Sequence, residues 1–277
     1  MKVKNDKNNV LILPDLHLQW EAAQKIIDFV GADDIIFLGD FFDDFNDDPE
    51  SVNEMCDWLE NSVKQPNRIH LFGNHDCHYA FPAEHWRCSG YTQWKHFIVR
   101  DRIDHTVWNK FKFYHILDNT WLLSHGGLHK SNLPENIANL HTNRPAFLKE
   151  ISNYLDNEII KGHRQNSWIF CAGHSRGGFQ RVGGITWCDH NKEMFPITGL
   201  SQIYGHSPQQ HGSASWLIQD SNDSQPYFEL SSNWTPTKKQ TKTTNTTYNL
   251  CLDVWKNMHY AIWDGSTLSI NKLADIV

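Results

Sequence analysis

The sequence predicts an α/β protein organised on parallel strands. Three observations carry this expectation. Apolar runs of strand length recur through the first half of the chain, stretches of helical period separate them, and each run stops at a polar turn. Strand, helix, strand, helix, strand is the order that parallel strands with crossover helices produce.

The elements follow in chain order. Val10-Leu11-Ile12-Leu13 reads as a buried strand and ends at Pro14-Asp15-Leu16-His17. Trp20, Ala23, Ile26, Ile27 and Val30 fall at helical spacing, and Gly31 is a C-terminal stop. Asp34 to Leu38 is a second strand, ending at Gly39-Asp40-Phe41-Phe42-Asp43. Asp47-Asp48-Pro49-Glu50 opens a helix with acidic groups and a proline in its first turn, and Val52, Met55, Cys56, Leu59 and Val63 continue one face. Arg68 to Phe72 is a third strand, running into Gly73-Asn74-His75-Asp76.

Residues 77–118 are rich in Trp, His and Arg without a clean period, and are expected to be an inserted segment, with a lid as one role. Its tryptophans are read as core or lid packing. Thr120 to Ser124 is a fourth strand, ending at His125-Gly126-Gly127, and Arg144 to Ile160 is helical. Ile185 to Cys188 reads as a short strand. Leu200 to Tyr204 is a clearer one, ending at Gly205-His206-Ser207-Pro208. Residues 219–247 read as a polar loop in which Lys238, Lys239 and Lys242 are solvated. Tyr248 to Val254, His259 to Trp263 and Thr267 to Ile270 alternate like antiparallel strands, with an Asp264-Gly265 hairpin turn.

With 277 residues, a single domain over 1–277 is expected. The net charge of −7 argues against a nucleic-acid binder held by phosphate contacts. Six cysteines without CxxC spacing argue against a zinc ribbon or a disulfide framework, and are expected to be reduced. Met1 to Asn9 has no apolar stretch and no run reaches membrane-spanning length, so a cytoplasmic protein with no membrane partner is expected. The 17 histidines are the unusual feature, histidine being both a metal ligand and an acid or base near neutrality.

Five strand ends carry potential ligands: Asp15 and His17, Asp40 and Asp43, Asn74 and His75, His125, and His206. Sites in open α/β sheets form at the carboxyl ends of strands. One such ending is commonplace; five are not. Asp15 and His17, two apart, offer one ion an oxygen and a nitrogen. Asp40 has two oxygens and can bridge to a second ion, which Asn74, His125 and His206 complete. Oxygen and imidazole donors without cysteine suit Mn²⁺, iron, Zn²⁺, Ni²⁺ or Co²⁺ better than Ca²⁺. Two such ions about 3.5–4 Å apart lower the pKa of a bridging water and clamp a phosphoryl group. His75 is then the general acid, oriented by Asp43, and Asp76 has no role beyond the turn.

These motifs, Asp15-Leu16-His17, Gly39-Asp40-Phe41-Phe42-Asp43, Gly73-Asn74-His75-Asp76, His125-Gly126-Gly127 and Gly205-His206-Ser207-Pro208, together resemble the ordered motifs of the calcineurin-like metallophosphoesterases. The resemblance spans about residues 10 to 210. It implies a four-layer α/β/β/α sandwich with two mixed sheets and a dinuclear site, and supports the assignments position by position. Members with Gly-His-x-His offer the first metal a second histidine; here that position is Pro208. In this, and in His125-Gly126-Gly127, the chain is similar to the serine/threonine-phosphatase and diadenosine-tetraphosphatase branch. That branch usually has arginines where this chain has Asp44 and Phe72, so two phosphate-clamping charges are missing. Arg176, among Gly177 and Gly178, is the candidate replacement for substrate binding. His174 is the alternative to His206 as the last ligand. Gly177-Gly178 and Gly183-Gly184 lack the strand-to-helix context of a nucleotide loop.

The expected activity is therefore hydrolysis of a phosphoester by a dinuclear centre, with a bridging hydroxide as nucleophile and His75 as acid. Manganese is the expected ion, with iron, zinc, nickel or cobalt as alternatives. A phosphatase is the leading reading, with a small phosphoester, nucleotide or phosphoprotein as substrate. A phosphodiesterase or dinucleotide-polyphosphate hydrolase is the alternative within enzymes, and an inactive metal-binding scaffold the alternative outside them.

Overall fold

In the computed structural model, residues 9–81, 83–164, 167–209, 212–220, 223, 225–231, 246–254 and 257–276 are described. The polar segment with Lys238, Lys239 and Lys242 lies outside them, as do most of Met1–Asn9. The elements in order are β1 Val10–Leu13, α1 Trp20–Val30, β2 Asp34–Phe37, α2 Pro49–Ser62, β3 Arg68–His70, α3 Asn74–Ala80, α4 Gln93–Arg102, α5 His105–Trp108, β4 Tyr114–Leu117, β5 Trp121–Ser124, α6 Glu135–Ala138, α7 Arg144–Arg164, β6 Ser201–Tyr204, β7 Ser215–Asp220, β8 Tyr227–Leu230, β9 Thr246–Cys251, β10 His259–Trp263 and β11 Leu268–Lys272.

They form two mixed sheets. The first has the order β11-β10-β1-β2-β3, with β1, β2 and β3 parallel and β10 antiparallel to β1. The second has the order β4-β5-β6-β9-β7-β8, with β5, β6 and β9 parallel and the others antiparallel to their neighbours. Side chains alternate across each strand, so each sheet has two apolar faces. Val10, Ile12, Ile36, Leu123, Ile203, Trp216, Leu250 and Trp263 fill the space between the sheets. Trp121 anchors it, with ring centroids 6.3 Å from Trp216 and 6.0 Å from Trp263. The opposite faces carry the helices: Leu11, Leu13, Ile35 and Phe37 share a cluster with Ala23 and Ile26 of α1 and Val52, Met55 and Leu59 of α2, which also takes in Leu122 and α7's Phe147, Ile151 and Leu155. The expected four layers are present.

Local chemistry sets the helix ends. Gly31 closes α1 in the left-handed region at φ 57°, its N–H bonded to Ile27 O. Asp48 caps α2, accepting from Ser51 N at 2.8 Å, with Pro49 in the first turn.

Two expectations need correction. Ile185–Cys188 is a turn, fixed by Trp187 N and Cys188 N both donating to Gly184 O at 2.9 Å. The 219–247 stretch is not simply a loop, because it holds the end of β7, all of β8 and the start of β9. The 77–118 segment contains three helical elements and β4, and Trp86 and Trp108 are buried in it. Among the described residues, no helix is long and apolar enough to cross a membrane.

Candidate active site

The parallel strands of both sheets deliver their carboxyl ends to one place. The turns that follow are tight. Among the described residues, seven non-glycine residues have positive φ, and four of them are His17, Asp40, Asp43 and His206. Such strain persists only where the surroundings enforce it, and it clusters at functional sites. Gly73 and Gly205 are needed for close approach: a Cβ on Gly73 would overlap Asp40 Oδ1, and one on Gly205 would overlap Asp15 Oδ1. Asp76 draws the turns together. Its fully buried carboxylate accepts the backbone N–H groups of Asp40, Phe41 and Gly73, each at 2.8 Å. It is the brace between the β2 and β3 endings, a role its neighbouring sequence does not reveal.

Two groups of ligand atoms result, each within 4.8 Å of one another: Asp15, His17 and Asp40, and Asp40, His125 and His206. Asp40 belongs to both. Its Oδ1 accepts the His75 backbone N–H at 2.8 Å, leaving Oδ2 3.8 Å from His17 Nε2 and 3.2 Å from His125 Nε2. Backbone carbonyls fix both rings. His17 Nδ1 donates to Phe42 O and Asp43 O at 3.1 and 2.9 Å, and His125 Nδ1 donates to Leu38 O at 3.0 Å. In the neutral rings the opposite nitrogens therefore present lone pairs. His125 Nε2 also lies 3.0 Å from Asn74 Oδ1 and 3.2 Å from His206 Nδ1. Among the described residues, His206 Nε2 is buried without a hydrogen-bond partner.

This arrangement calls for positive charge. Burial disfavours a charged His125, but Asp40 and Asp15 outweigh it and push the imidazole up to about 9. Burial opposes ionisation of Asp40 too, yet His125 and His75 hold its carboxyl well below the usual carboxylate range. A proton on His125 is one answer to the converging oxygens. A divalent cation is a better one, displacing that proton and accepting the lone pairs. The donor set thus fits a divalent metal.

His75 sits beside these groups, its ring 5.3 Å from that of His17. Its Nδ1 donates to Asp43 Oδ2 at 3.0 Å. Burial disfavours its charged form, but Asp40 and the Asp43 hydrogen bond hold its pKa well above the ordinary value, so it keeps a proton to give. The Asp43 carboxylate has three further partners: Tyr79 Oη donates to it at 2.6 Å, and His78 Nε2 and Lys95 Nζ lie at ion-pair distance, each at 2.9 Å. Reading the sequence did not find these three. His78 had a signal, since it lies one helical turn beyond His75. Tyr79 offered less, and Lys95 arrives from α4, which nothing local predicts.

A cavity of about 820 Å³ opens over the groups, bordered by His17, Asp40, Asn74, His75, Arg176 and Trp187 among others. Arg176 reaches it from a short helical turn, held by an ion pair to Asp189 at 2.8 Å and by donation to His206 O at 3.1 Å. His174, in the same turn, is exposed and lies in neither ligand group. Asp44 and Cys88 also border the cavity. Phe72 instead faces an aromatic cluster, its ring 4.8 Å from Phe113 and 4.9 Å from Phe111. A second cavity of about 840 Å³ is lined by that cluster and by none of the candidate ligand residues.

Residues 9–210 match the family of calcineurin-like phosphoesterases. No curated protein matches the chain by sequence. Several solved structures are similar. A metallophosphoesterase from Sphaerobacter thermophilus is 12% identical, with a TM-score of 0.48, and the alignment covers 96% of this chain and 88% of that one. A protein serine/threonine phosphatase from Saccharomyces cerevisiae is 12% identical with a TM-score of 0.44, covering 98% and 81%. Yfce, a phosphoesterase from E. coli, is 9% identical with a TM-score of 0.41, covering 97% and 95%.

Proposed function

From the premise that this chain belongs to the calcineurin-like phosphoesterase family, and is a metal-dependent phosphoric ester hydrolase, we propose a phosphatase with a dinuclear centre. Asp15, His17 and Asp40 hold the first divalent cation; Asp40, Asn74, His125 and His206 hold the second. Manganese is the ion proposed for both. Cations held there would supply an activated water as nucleophile and positive charge for the phosphoryl oxygens.

The chain's own residues do the rest. Asp40 shares one oxygen between the two groups, which fixes their spacing. The backbone carbonyls behind His17 and His125 hold each ring in its ligating tautomer. Arg176 meets a phosphoryl oxygen while Asp189 keeps its guanidinium in place. His75 gives its Nε2 proton to the leaving oxygen, and Asp43 stabilises and orients the ring that does so. An inactive scaffold has no use for a protonated histidine braced in this way.

The single observation that carries this reading is Asp40 Oδ2 facing two imidazole nitrogens whose other nitrogens are committed to backbone carbonyls. Asp40→Asn and His75→Asn test it with Mn²⁺ on phenyl phosphate, p-nitrophenyl phosphate and bis-p-nitrophenyl phosphate. His75→Asn is expected to lose roughly 10²- to 10⁴-fold on phenyl phosphate, whose phenol leaves with a pKa near about 10, and less on the better leaving group. Asp40→Asn loses turnover on all of them. Unchanged turnover in both variants sinks the mechanism, and preference for the diester replaces the phosphatase by a phosphodiesterase.

A further inference from the structure

A sixth parallel strand ends at the site. β9 runs parallel to β6, with Tyr204 opposite Cys251, and Leu252 N donating to Tyr204 O at 2.8 Å. One residue further, Asp253 lies level with His206. Its backbone is held by Gln209 N at 2.9 Å, and the residue is 6% exposed. Asp253 borders the active-site cavity, and also a void of about 10 Å³ that it shares with Asp15, His17, Pro14, Gln19 and Met258. Among the described residues, no hydrogen bond or ion pair reaches that carboxylate. With no side chain paired to it, such a carboxylate needs water or a positive group facing it. The charged groups around it are two more carboxylates, Asp15 and Asp40, together with His125 and with Arg176, which is itself paired to Asp189.

The first ligand group is also the poorer one. It has only Asp15, His17 and the shared Asp40, and Pro208 offers no donor. Asp253 is not among these closely spaced atoms. The void between them is about the size of one water.

We propose that Asp253 is the outer carboxylate of the first-cation site, acting through a single water in the void it shares with Asp15 and His17. It adds a carboxylate to a site that Pro208 leaves one donor short, and it fixes the outer side of that site as a hydrogen-bonded carboxylate fixes a ligand. This rests on the dinuclear reading above.

The test is a calorimetric titration of metal-free protein with Mn²⁺, comparing wild type, Asp253→Asn and Asp253→Ser, with His17→Asn marking the first site. Wild type is expected to take up two ions. In Asp253→Asn the step that His17→Asn weakens should lose on the order of 10- to 100-fold in affinity, with the other step within about threefold. The serine variant, smaller and still polar, should behave alike and gives the reading should the asparagine variant fail to fold. Two steps of wild-type affinity overturn the inference and leave the dinuclear reading standing. Equal weakening of both steps also overturns it, because the residue would then be only structural. Fewer than two ions in wild type overturns both.

Discussion

Lys95→Met probes how the 77–118 segment supports the site. Lys95 is 3% exposed, and its ammonium lies 2.9 Å from Asp43 Oδ1 and 2.7 Å from Asp47 Oδ2. Methionine keeps much of the stem and removes the charge. Breaking a buried ion pair from one side costs about 3–5 kcal/mol, since the partner is left behind. Asp43 keeps His75, His78 and Tyr79, so the loss should fall near the lower end, about 3 kcal/mol. For a chain of this size each kcal/mol moves Tm by about 2–4 °C, which gives a fall of roughly 6–12 °C. Differential scanning calorimetry of metal-free protein measures it without the added stabilisation of bound ions. Lys95 touches Asp43 and not the substrate. Its loss should therefore lower kcat on phenyl phosphate roughly tenfold, a fraction of the general-acid contribution, spare p-nitrophenyl phosphate more, and leave KM in place. A Tm shift under about 2 °C would refute the buried clamp. Equal loss on both esters would refute its action through His75.

Two other perturbations have defined outcomes. His70 and His190 are held neutral by burial, with Arg68 and Lys110 adding to the effect at His70, and each pKa is pushed down to about 3. The unfolded chain titrates them near 6.5, so between those values it binds more protons, and stability falls as pH falls; from pH 6.5 to 5 each costs about 2 kcal/mol. Urea midpoints at pH 7 and 5 read this, His190→Gln should flatten the dependence by about one proton, and a variant with the wild-type slope contradicts the assignment. Gly205→Ala would drive a methyl into Asp15 Oδ1, so the variant should lose Mn²⁺ at the first site while staying folded. Metal content after gel filtration decides it, and two retained ions would show that the close approach is not needed.

Much of the site was legible because its signals are local. A strand that stops at a polar turn shows both features within a few residues, and Asp15, His17, Asp40, Asn74, His75, His125 and His206 all follow such stops. The structure brings these seven together, with Asp43 behind His75 and Arg176 at the cavity rim. What was missed depends on distance along the chain. β8 is exposed along its whole length, so no apolar alternation marks it. Lys95 reaches Asp43 across 52 positions of sequence only because α4 packs on α2. Phe72 and Asp44 were noted as lost arginines, yet only packing explains Phe72, which is committed to the Phe111 and Phe113 rings.

Asp253 is the instructive case. Ligand-type residues gather at the carboxyl ends of parallel strands, and an apolar run that stops at a polar turn marks such an end locally. Tyr248 to Val254 lies outside the βα alternation, and its residue pattern resembled an antiparallel strand. Antiparallel pairing with β7 is indeed half of its environment, but the other half is parallel pairing with β6. Periodicity reports which side chains share a face and is blind to the direction of the neighbour. A strand's direction is set by non-local pairing, so the sixth ending comes into view only once β9 is seen between β6 and β7. The same physical rule that singles out the five candidate turns then points to Asp253 beside them.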